Sequence, residues 1–333
     1  MKGAKIKALC LLSGGLDSSL AAKVVRDQGI EVIGVNFIGP FLASGDQVKA
    51  SAAAAVARSI GIDLRVIALG EDYLEVIRNP RHGYGSNLNP CIDCRIYMLK
   101  KVKEMMSQED ASFIVTGEVL GQRPMSQRKD TMRKIEKESG LEGLLLRPLS
   151  ALALAPTIPE SKGWVSRESM LSITGRSRRE QMRLAKERKV DGYSSPGGGC
   201  LLTDPHFAPR VKDLIDHAML TEYHIGLLKV GRHFRLPRGS KLIVGRNMVE
   251  NQVLQSEVRD PDLLMITEDC PGPTAILAGS DASQEWGLGA GIVARYSDGR
   301  QGGLVKVRIR SADGEAVEDI KPLSPAKVAQ LMI

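Results

Sequence analysis

The apolar positions of the first seventy residues fall into short runs separated by stretches of helical spacing. Residues 5–12 read as a buried strand, residues 13–19 as a tight polar turn, and residues 20–28 as a helix stopped by Gly29. A second strand is predicted over residues 31–37, a helix over 46–60 ending at Gly61, and a third strand over 64–69. Strands alternating with helices at this spacing predict an α/β fold, a doubly wound parallel sheet with helices on both faces. Ligands of such sheets bind outside the carboxyl ends of the strands, the edge on which the 13–19 turn falls. A glycine- and asparagine-rich loop (79–90), a helix (91–106), a strand (113–116) and a helix (128–138) follow.

The pattern then changes twice. A proline-rich stretch at 147–159 places the end of the sheet domain at residue 155. Residues 156–218 read as a basic segment, mostly helical over 165–190, with a glycine-rich turn at 193–200 that carries Cys200. Residues 219–333 hold short β-like runs at 227–236, 241–245, 263–267, 274–277 and 304–309, which predicts a small separate α+β domain. A chain of 333 residues is long enough for such a division.

The turn Ser13-Gly14-Gly15-Leu16-Asp17-Ser18-Ser19 lies between a strand and a helix, where open backbone N–H groups and the helix dipole attract an anion. Gly14 and Gly15 let the backbone approach a phosphate, and Ser13, Ser18 and Ser19 add hydroxyl donors. Asp17 would repel a phosphate and is expected to hold Mg²⁺ instead. No Gly-Lys-Ser/Thr follows, which disfavours a γ-phosphate-cleaving NTPase of Walker type.

Five cysteines add a second chemistry. Cys91 and Cys94 open a predicted helix, where thiolates are favoured, and Cys200 arrives from the distant turn. Three thiols suit a zinc ion with His206 as a possible fourth ligand, a [4Fe-4S] cluster with one iron lacking a protein ligand, or a disulfide and persulfide relay. Cys10, inside a strand, and Cys270, in a Cys-Pro-Gly turn, read as structural.

Composition and charge complete the picture. With 43% hydrophobic and 26% charged residues the chain resembles ordinary globular proteins, and no apolar run approaches the length of a membrane span. Met1-Lys2-Gly3-Ala4-Lys5 leads straight into a strand rather than an apolar signal region, so a cytoplasmic, membrane-free protein is expected. The formal charge of +7 fits an acidic polymer as partner. It gathers in two stretches, one with Arg123, Arg128, Lys129, Arg133, Lys134 and Lys137, the other with Arg176, Arg178, Arg179, Arg183, Lys186, Arg188 and Lys189.

The Ser13 to Ser18 turn resembles the signature of the PP-loop ATP pyrophosphatase family. That resemblance implies ATP as cofactor, transfer of AMP to a substrate oxygen, and release of pyrophosphate. It places Val35, Asn36 and Phe37 beside the adenosine and Thr116 and Gly117 at the nucleotide edge; Glu118 stands where relatives often carry a histidine, which leaves its role open. Asn89-Pro90-Cys91-Ile92-Asp93-Cys94 resembles the catalytic segment of tRNA 2-thiouridine synthases, and Gly199-Cys200 is similar in placement to their second cysteine. The presence of all three cysteines looks like the cluster-dependent thiolases, implying a [4Fe-4S] cluster on Cys91, Cys94 and Cys200, with zinc the lesser alternative.

The run from Cys91 to Cys200 also resembles 4-thiouridine synthase-like proteins. Residues around Gly231-Arg232-His233-Phe234-Arg235, Lys241 and Gly245-Arg246-Asn247 resemble the RNA-binding domain of NFACT proteins. Together these resemblances imply an ATP-dependent tRNA uridine sulfurtransferase, with tRNA and a hydrosulfide or persulfide-carrying sulfur donor as partners. The RNA-facing residues are then expected to be Gln122, Arg123, Arg128, Lys129, Arg176, Arg178, Arg179, Arg232 and Arg246, with Arg235, Lys241 and Asn247 beside them. Two rivals are a PP-loop ligase or amidotransferase acting on a small carboxylate, and a zinc-stabilised RNA-binding protein without catalysis.

Overall fold

A computed structural model describes residues 6–41, 46–194 and 200–333, with the side chains of residues 46–49 outside it. The chain divides into two compact units, Met1–Thr203 and Asp204–Ile333.

The first unit is built on a parallel sheet of β1 (Lys7–Leu11), β2 (Glu31–Ile38), β3 (Asp63–Ala68), β4 (Phe113–Val115) and β5 (Leu145–Leu146), in the order β3-β2-β1-β4-β5. Its helices are α1 (Leu16–Arg26), α2 (Asp46–Ile60), α3 (Glu71–Arg78), α4 (Cys91–Gln108), α5 (Lys129–Glu138), the short α6 (Ile158–Ser161) and α7 (Arg179–Glu187). Strand residues alternate in direction. Ala8, Cys10, Phe113 and Val115 face α1, α2 and α7, whereas Leu9, Leu11, Ile33 and Ile114 face α4 and α5. Both faces are therefore covered, as a parallel sheet requires. All the strand ends that carry candidate chemistry emerge on one edge.

The division falls after Thr203 and not at 155 or 218, because residues 156–203 are tied into the first sheet domain. Gly175 donates its N–H to the Leu120 carbonyl at 2.8 Å, Ser166 to the Gln28 side chain at 2.7 Å, and Ser194 to the Gly14 carbonyl at 2.8 Å. Over 165–190 the chain is less helical than its charge pattern predicts. Residues 171–175 run extended beside 148–150, and α7 is the one full helix there among the described residues. The turn at 195–199 lies outside the described residues. Helix α3 was not anticipated, since its apolar face is only Tyr73, Leu74 and Ile77.

The second unit is an antiparallel sheet of β6 (Arg232–Arg235), β7 (Lys241–Val244), β8 (Leu263–Thr267), β9 (Thr274–Ala278), β10 (Val305–Ser311) and β11 (Gly314–Ile320), ordered β11-β10-β8-β9-β7-β6. Helices α8 (Ala208–Asp216), α9 (Glu222–Leu227), α10 (Met248–Glu257), α11 (Ala282–Arg295) and α12 (Pro325–Leu331) complete it. Helix α11 covers one face through Ala290, Val293 and Ala294, and α9 and α10 contribute Leu227 and Leu254 to the other. Among the described residues, no helix is long and apolar enough to cross a membrane.

Helix α8 is joined to this second sheet by a buried ion triad. Asp213 accepts from Arg235 and, at 2.6 Å, from Lys241, whose side chain is 1% exposed. Burial pushes the Lys241 ammonium down to about 8, and Arg235 shares its anion. Burial alone would raise the Asp213 carboxyl, but Arg235 and Lys241 together hold it below the ordinary carboxylate range. A carboxyl held low contributes stability above about pH 4 that is lost as the pH falls through its folded-state value. Asp213→Asn, which strands the Lys241 charge, is expected to destabilise the second unit by about 3–5 kcal/mol. Calorimetry of the full chain should show the second unit's transition lowered and its acid sensitivity between about pH 5 and 2 reduced.

Candidate nucleotide and thiol site

The turn after β1 is shaped by what surrounds it. Gly14 has a φ of +73°, and a Cβ there would stand 2.7 Å from the Ala53 nitrogen of α2, so only glycine fits. Gly15 is the N-cap of α1 and brings no side-chain cap, leaving the first-turn N–H groups facing outward. Ser18 and Ser19 donate their hydroxyls to the Gly15 carbonyl at 3.0 and 2.8 Å, and the Ser13 and Ser18 hydroxyls meet at 3.1 Å. These contacts hold the loop curled in the form an anion site needs.

Two strand ends close on it. Asn36, at the end of β2 and 2% exposed, donates to the Leu12 carbonyl at 2.7 Å and keeps a buried Oδ1 without a protein partner. Phe37 packs instead into the apolar layer under α4. Thr116 is buried after β4, and at Gly117 a Cβ would stand 2.5 Å from the Asp17 carbonyl carbon and the Ser18 nitrogen. The absence of a side chain at 117 is what lets the strand end rest on the loop. Asp17 itself is gripped through Oδ2, by Gln122 at 3.1 Å and Arg178 at 3.6 Å, while its Oδ1 is buried with no hydrogen-bond partner.

The cysteines reach the same edge from two directions. Cys91 and Cys94 begin α4. Asp93 between them accepts from the His82 backbone at 2.9 Å and pairs with His82 Nδ1 at 2.8 Å, and His82 Nε2 pairs with Glu138 of α5 at 3.1 Å. This clamp fixes the 79–90 loop on the helix start. On the other side, Leu201 donates its N–H to the Phe41 carbonyl and Leu88 to the Leu202 carbonyl, and the Asn87 side-chain amide donates to the Thr203 carbonyl. Residues 201–203, directly after Cys200, are thus held between the segment that follows β2 and the loop that leads into α4.

Tyr73 of α3 lies against the start of α4. Its hydroxyl donates to the Cys94 sulfur at 3.1 Å, and it is pushed well above its ordinary value by burial and by Cys94, Cys200 and Cys91 in turn. The expectation of favoured thiolates at the start of α4 is corrected by this burial. It pushes Cys94 up despite Tyr73 and Arg95, and Cys91 up despite Arg123 and Arg95. Among the described residues, no three His, Cys, Asp or Glu side chains stand close enough to hold a metal ion. Cys10 is fully buried, and its thiol is pushed up to about 12.

Glu118 links the two halves of the site. It is 2% exposed, with Arg95 of α4 at 3.2 Å and Arg147 at 3.0 Å. Burial alone would raise its carboxyl, but Arg95 and Arg147 hold it below the ordinary range. Arg147 continues to Glu136 of α5 at 2.8 Å. Tyr73, Arg95 and Arg147 escaped the sequence reading because single residues outside any motif leave no periodic signal, whereas Glu118 was singled out there with its role left open.

The expected RNA-facing residues divide into two groups. Arg123, Arg128, Lys129, Arg176 and Arg179 are exposed in the first unit, whereas Gln122 and Arg178 turn inward to Asp17. In the second unit, Arg246 is exposed and ion-paired with Glu250, and the Arg232 guanidinium lies 4.6 Å from the Tyr296 ring centroid. Lys241 and Arg235 serve the Asp213 triad, and Asn247 caps α10. Lys241 is thus removed from the surface on which it was expected.

A parallel sheet whose first strand turns through Ser-Gly-Gly-x-Asp-Ser into a helix belongs to the PP-loop class of nucleotide-binding domains. More particularly, residues 3–156 match the family described as thiamine biosynthesis protein (ThiI), and residues 231–332 match the NFACT protein RNA binding domain. The first match falls within the parallel-sheet unit and the second within the antiparallel-sheet unit, each over less than half of the chain. A probable tRNA sulfurtransferase of Ureaplasma parvum is 33% identical over 153 residues, 44% of this chain and 37% of that protein. A tRNA-specific 2-thiouridylase of Pelobacter propionicus is 31% identical over 118 residues, 34% of this chain and 33% of that protein. The chain spans about a third of the length of these curated relatives. A solved 4-thiouridine synthetase–RNA complex with bound ATP aligns with 22% identity and a TM-score of 0.37, covering 56% of this chain and 52% of that one.

Two substitutions test this geometry. Gly117→Ala forces the strand end off the Asp17–Ser18 backbone at a cost of about 1–3 kcal/mol, and the Kd for ATP measured by calorimetry should rise roughly tenfold. Tyr73→Phe removes the donor to Cys94, so the pH profile of Cys94 alkylation, followed by mass spectrometry, should move up by about one unit. The Cys91 profile should stay in place.

Proposed function

We propose that the protein is an ATP-dependent tRNA uridine sulfurtransferase. The observation that carries this reading is the start of α4, where Cys94 accepts from Tyr73 at 3.1 Å and Arg95 pairs with Glu118, one residue past the Gly117 that rests on the nucleotide loop. The names of the curated relatives and the two matched domains support it. In this reading the loop of Ser13 to Ser19 binds the ATP phosphates through the open N–H groups of α1. The unpartnered Oδ1 of Asp17 fits a Mg²⁺ ligand, and that of Asn36 fits an acceptor for the adenine amino group.

The reaction proceeds in two displacements. A uracil carbonyl oxygen attacks the α-phosphorus, forming an O–P bond as the bond to pyrophosphate breaks. Sulfur then attacks the same carbon, the C–O bond breaks, and AMP leaves. The sulfur arrives as hydrosulfide or as a cysteine persulfide; with a persulfide, a second cysteine thiol breaks the S–S bond and closes a disulfide. Three thiols also match a [4Fe-4S] cluster in kind, although the described side chains are not drawn together as metal ligands. Cys91, Cys94 and Cys200 would hold such a cluster, which would supply an iron able to bind hydrosulfide. The exposed arginines at 123, 128, 176 and 179, with Lys129 and the second unit's Arg232 and Arg246, would bind the tRNA backbone.

The test is incubation of tRNA with the purified chain, ATP, Mg²⁺ and sulfide, followed by nucleoside mass spectrometry for a thiolated uridine. Cys94→Ser and Cys200→Ser are each expected to lower product by at least about a hundredfold while ATP affinity stays within about twofold. AMP formation without tRNA, or full product from both variants, would refute the proposal.

A further inference from the structure

Arg178 was expected to face RNA, yet it points into the nucleotide loop. It is the N-cap of α7, whose Leu184 and Ala185 share the core with α1. The segment before it is fastened to the sheet edge. Leu171 donates its N–H to the Pro148 carbonyl at 2.9 Å, Ile173 to Leu149 at 2.8 Å, and Gly175 to Leu120 at 2.8 Å. Ser150 ties both strands of this join, accepting from the Leu120 N–H at 3.0 Å and donating to the Ile173 carbonyl at 2.6 Å. Two residues past Leu120 comes Gln122, and three past Gly175 comes Arg178; both side chains end on Oδ2 of Asp17. The loops are therefore zipped together with their polar tips on one carboxylate.

Charge explains the arrangement and makes it changeable. Asp17 is only 16% exposed and sits in the first turn of α1, among the N–H groups that face an anion. An incoming polyphosphate would meet that carboxylate as a like charge unless a cation stands beside it. Arg178, at 3.6 Å and 35% exposed, is close enough to balance it and loosely enough held to move.

Resting on the PP-loop ATP-binding reading, we propose that Arg178 and Gln122 are positioning residues of the nucleotide site. They balance Asp17 when no nucleotide is present. When magnesium and ATP occupy the loop, the cation takes over Asp17, and the Arg178 guanidinium passes to the polyphosphate, carrying the start of α7 with it. Arg178 thereby belongs to ATP rather than to RNA, in contrast to its exposed neighbours Arg176 and Arg179.

The experiment is equilibrium binding of ATP to the full chain, with Mg²⁺ and with a chelator, alongside tRNA binding at fixed salt. The variants are Arg178→Met, Arg178→Lys and Gln122→Leu, each checked for an unchanged thermal midpoint. Arg178→Met should weaken Mg²⁺–ATP binding roughly tenfold and weaken it further in the chelator, with tRNA affinity within about twofold. Arg178→Lys should recover most of the loss, and Gln122→Leu should show a smaller one. A loss of tRNA affinity with ATP binding intact would overturn the proposal, as would unchanged affinity for both. The readout needs no sulfur chemistry. An Arg178-dependent ATP site in a chain that thiolates nothing would leave this inference standing while the sulfurtransferase reading fell, whereas a wild-type chain that binds no ATP would overturn both.

Discussion

A single buried carboxylate, that of Glu118, fixes the relation between the two chemistries of the first unit. Removed from water and set between Arg95 and Arg147, it joins the strand end behind Gly117 to the helix that begins with Cys91 and Cys94. A charge so deeply buried persists only where its partners are held in place. Arg147 in turn is fixed by Glu136 and by the Met132 carbonyl of α5. The ion network therefore spans α4, α5 and two strand ends, and it ties the thiols to the edge that receives the nucleotide. Glu118 is thus an acidic keystone of the scaffold, both of its neighbouring cations coming from other elements.

The thiols show the opposite balance between burial and charge. Helix starts favour anions, but at Cys94 desolvation outweighs the Tyr73 hydrogen bond and Arg95. Burial acts in the same direction at Cys91, where it outweighs Arg123 and Arg95. At Asp17 the charge is met instead by Arg178 at 3.6 Å and Gln122 at 3.1 Å.

In the second unit, buried charge serves architecture. Asp213 draws Arg235 and Lys241 away from the surface and secures α8 against β6 and β7. That leaves Arg232, over Tyr296, and Arg246, beside Glu250, as the cations of this stretch best placed to meet an acidic polymer.

The alternation of the N-terminal sequence was enough to establish the parallel sheet, because a strand buried on both faces and a helix closed by Gly29 or Gly61 are local events. The loop at Ser13 to Ser19 was legible for the same reason, its glycines, hydroxyls and carboxylate being contiguous, as were the paired cysteines at the start of α4. The helices of the second unit were less so. The apolar residues of α11 are mostly alanines and glycines, and those of α10 are few, so neither shows strong helical spacing. Tertiary structure alone decided which charges were spent internally. Arg147, Arg235 and Lys241 look no different in sequence from Arg176 or Arg179, and only the approach of a carboxylate from a distant segment, at a depth where water cannot screen it, separates a buried ion pair from a surface that can hold RNA.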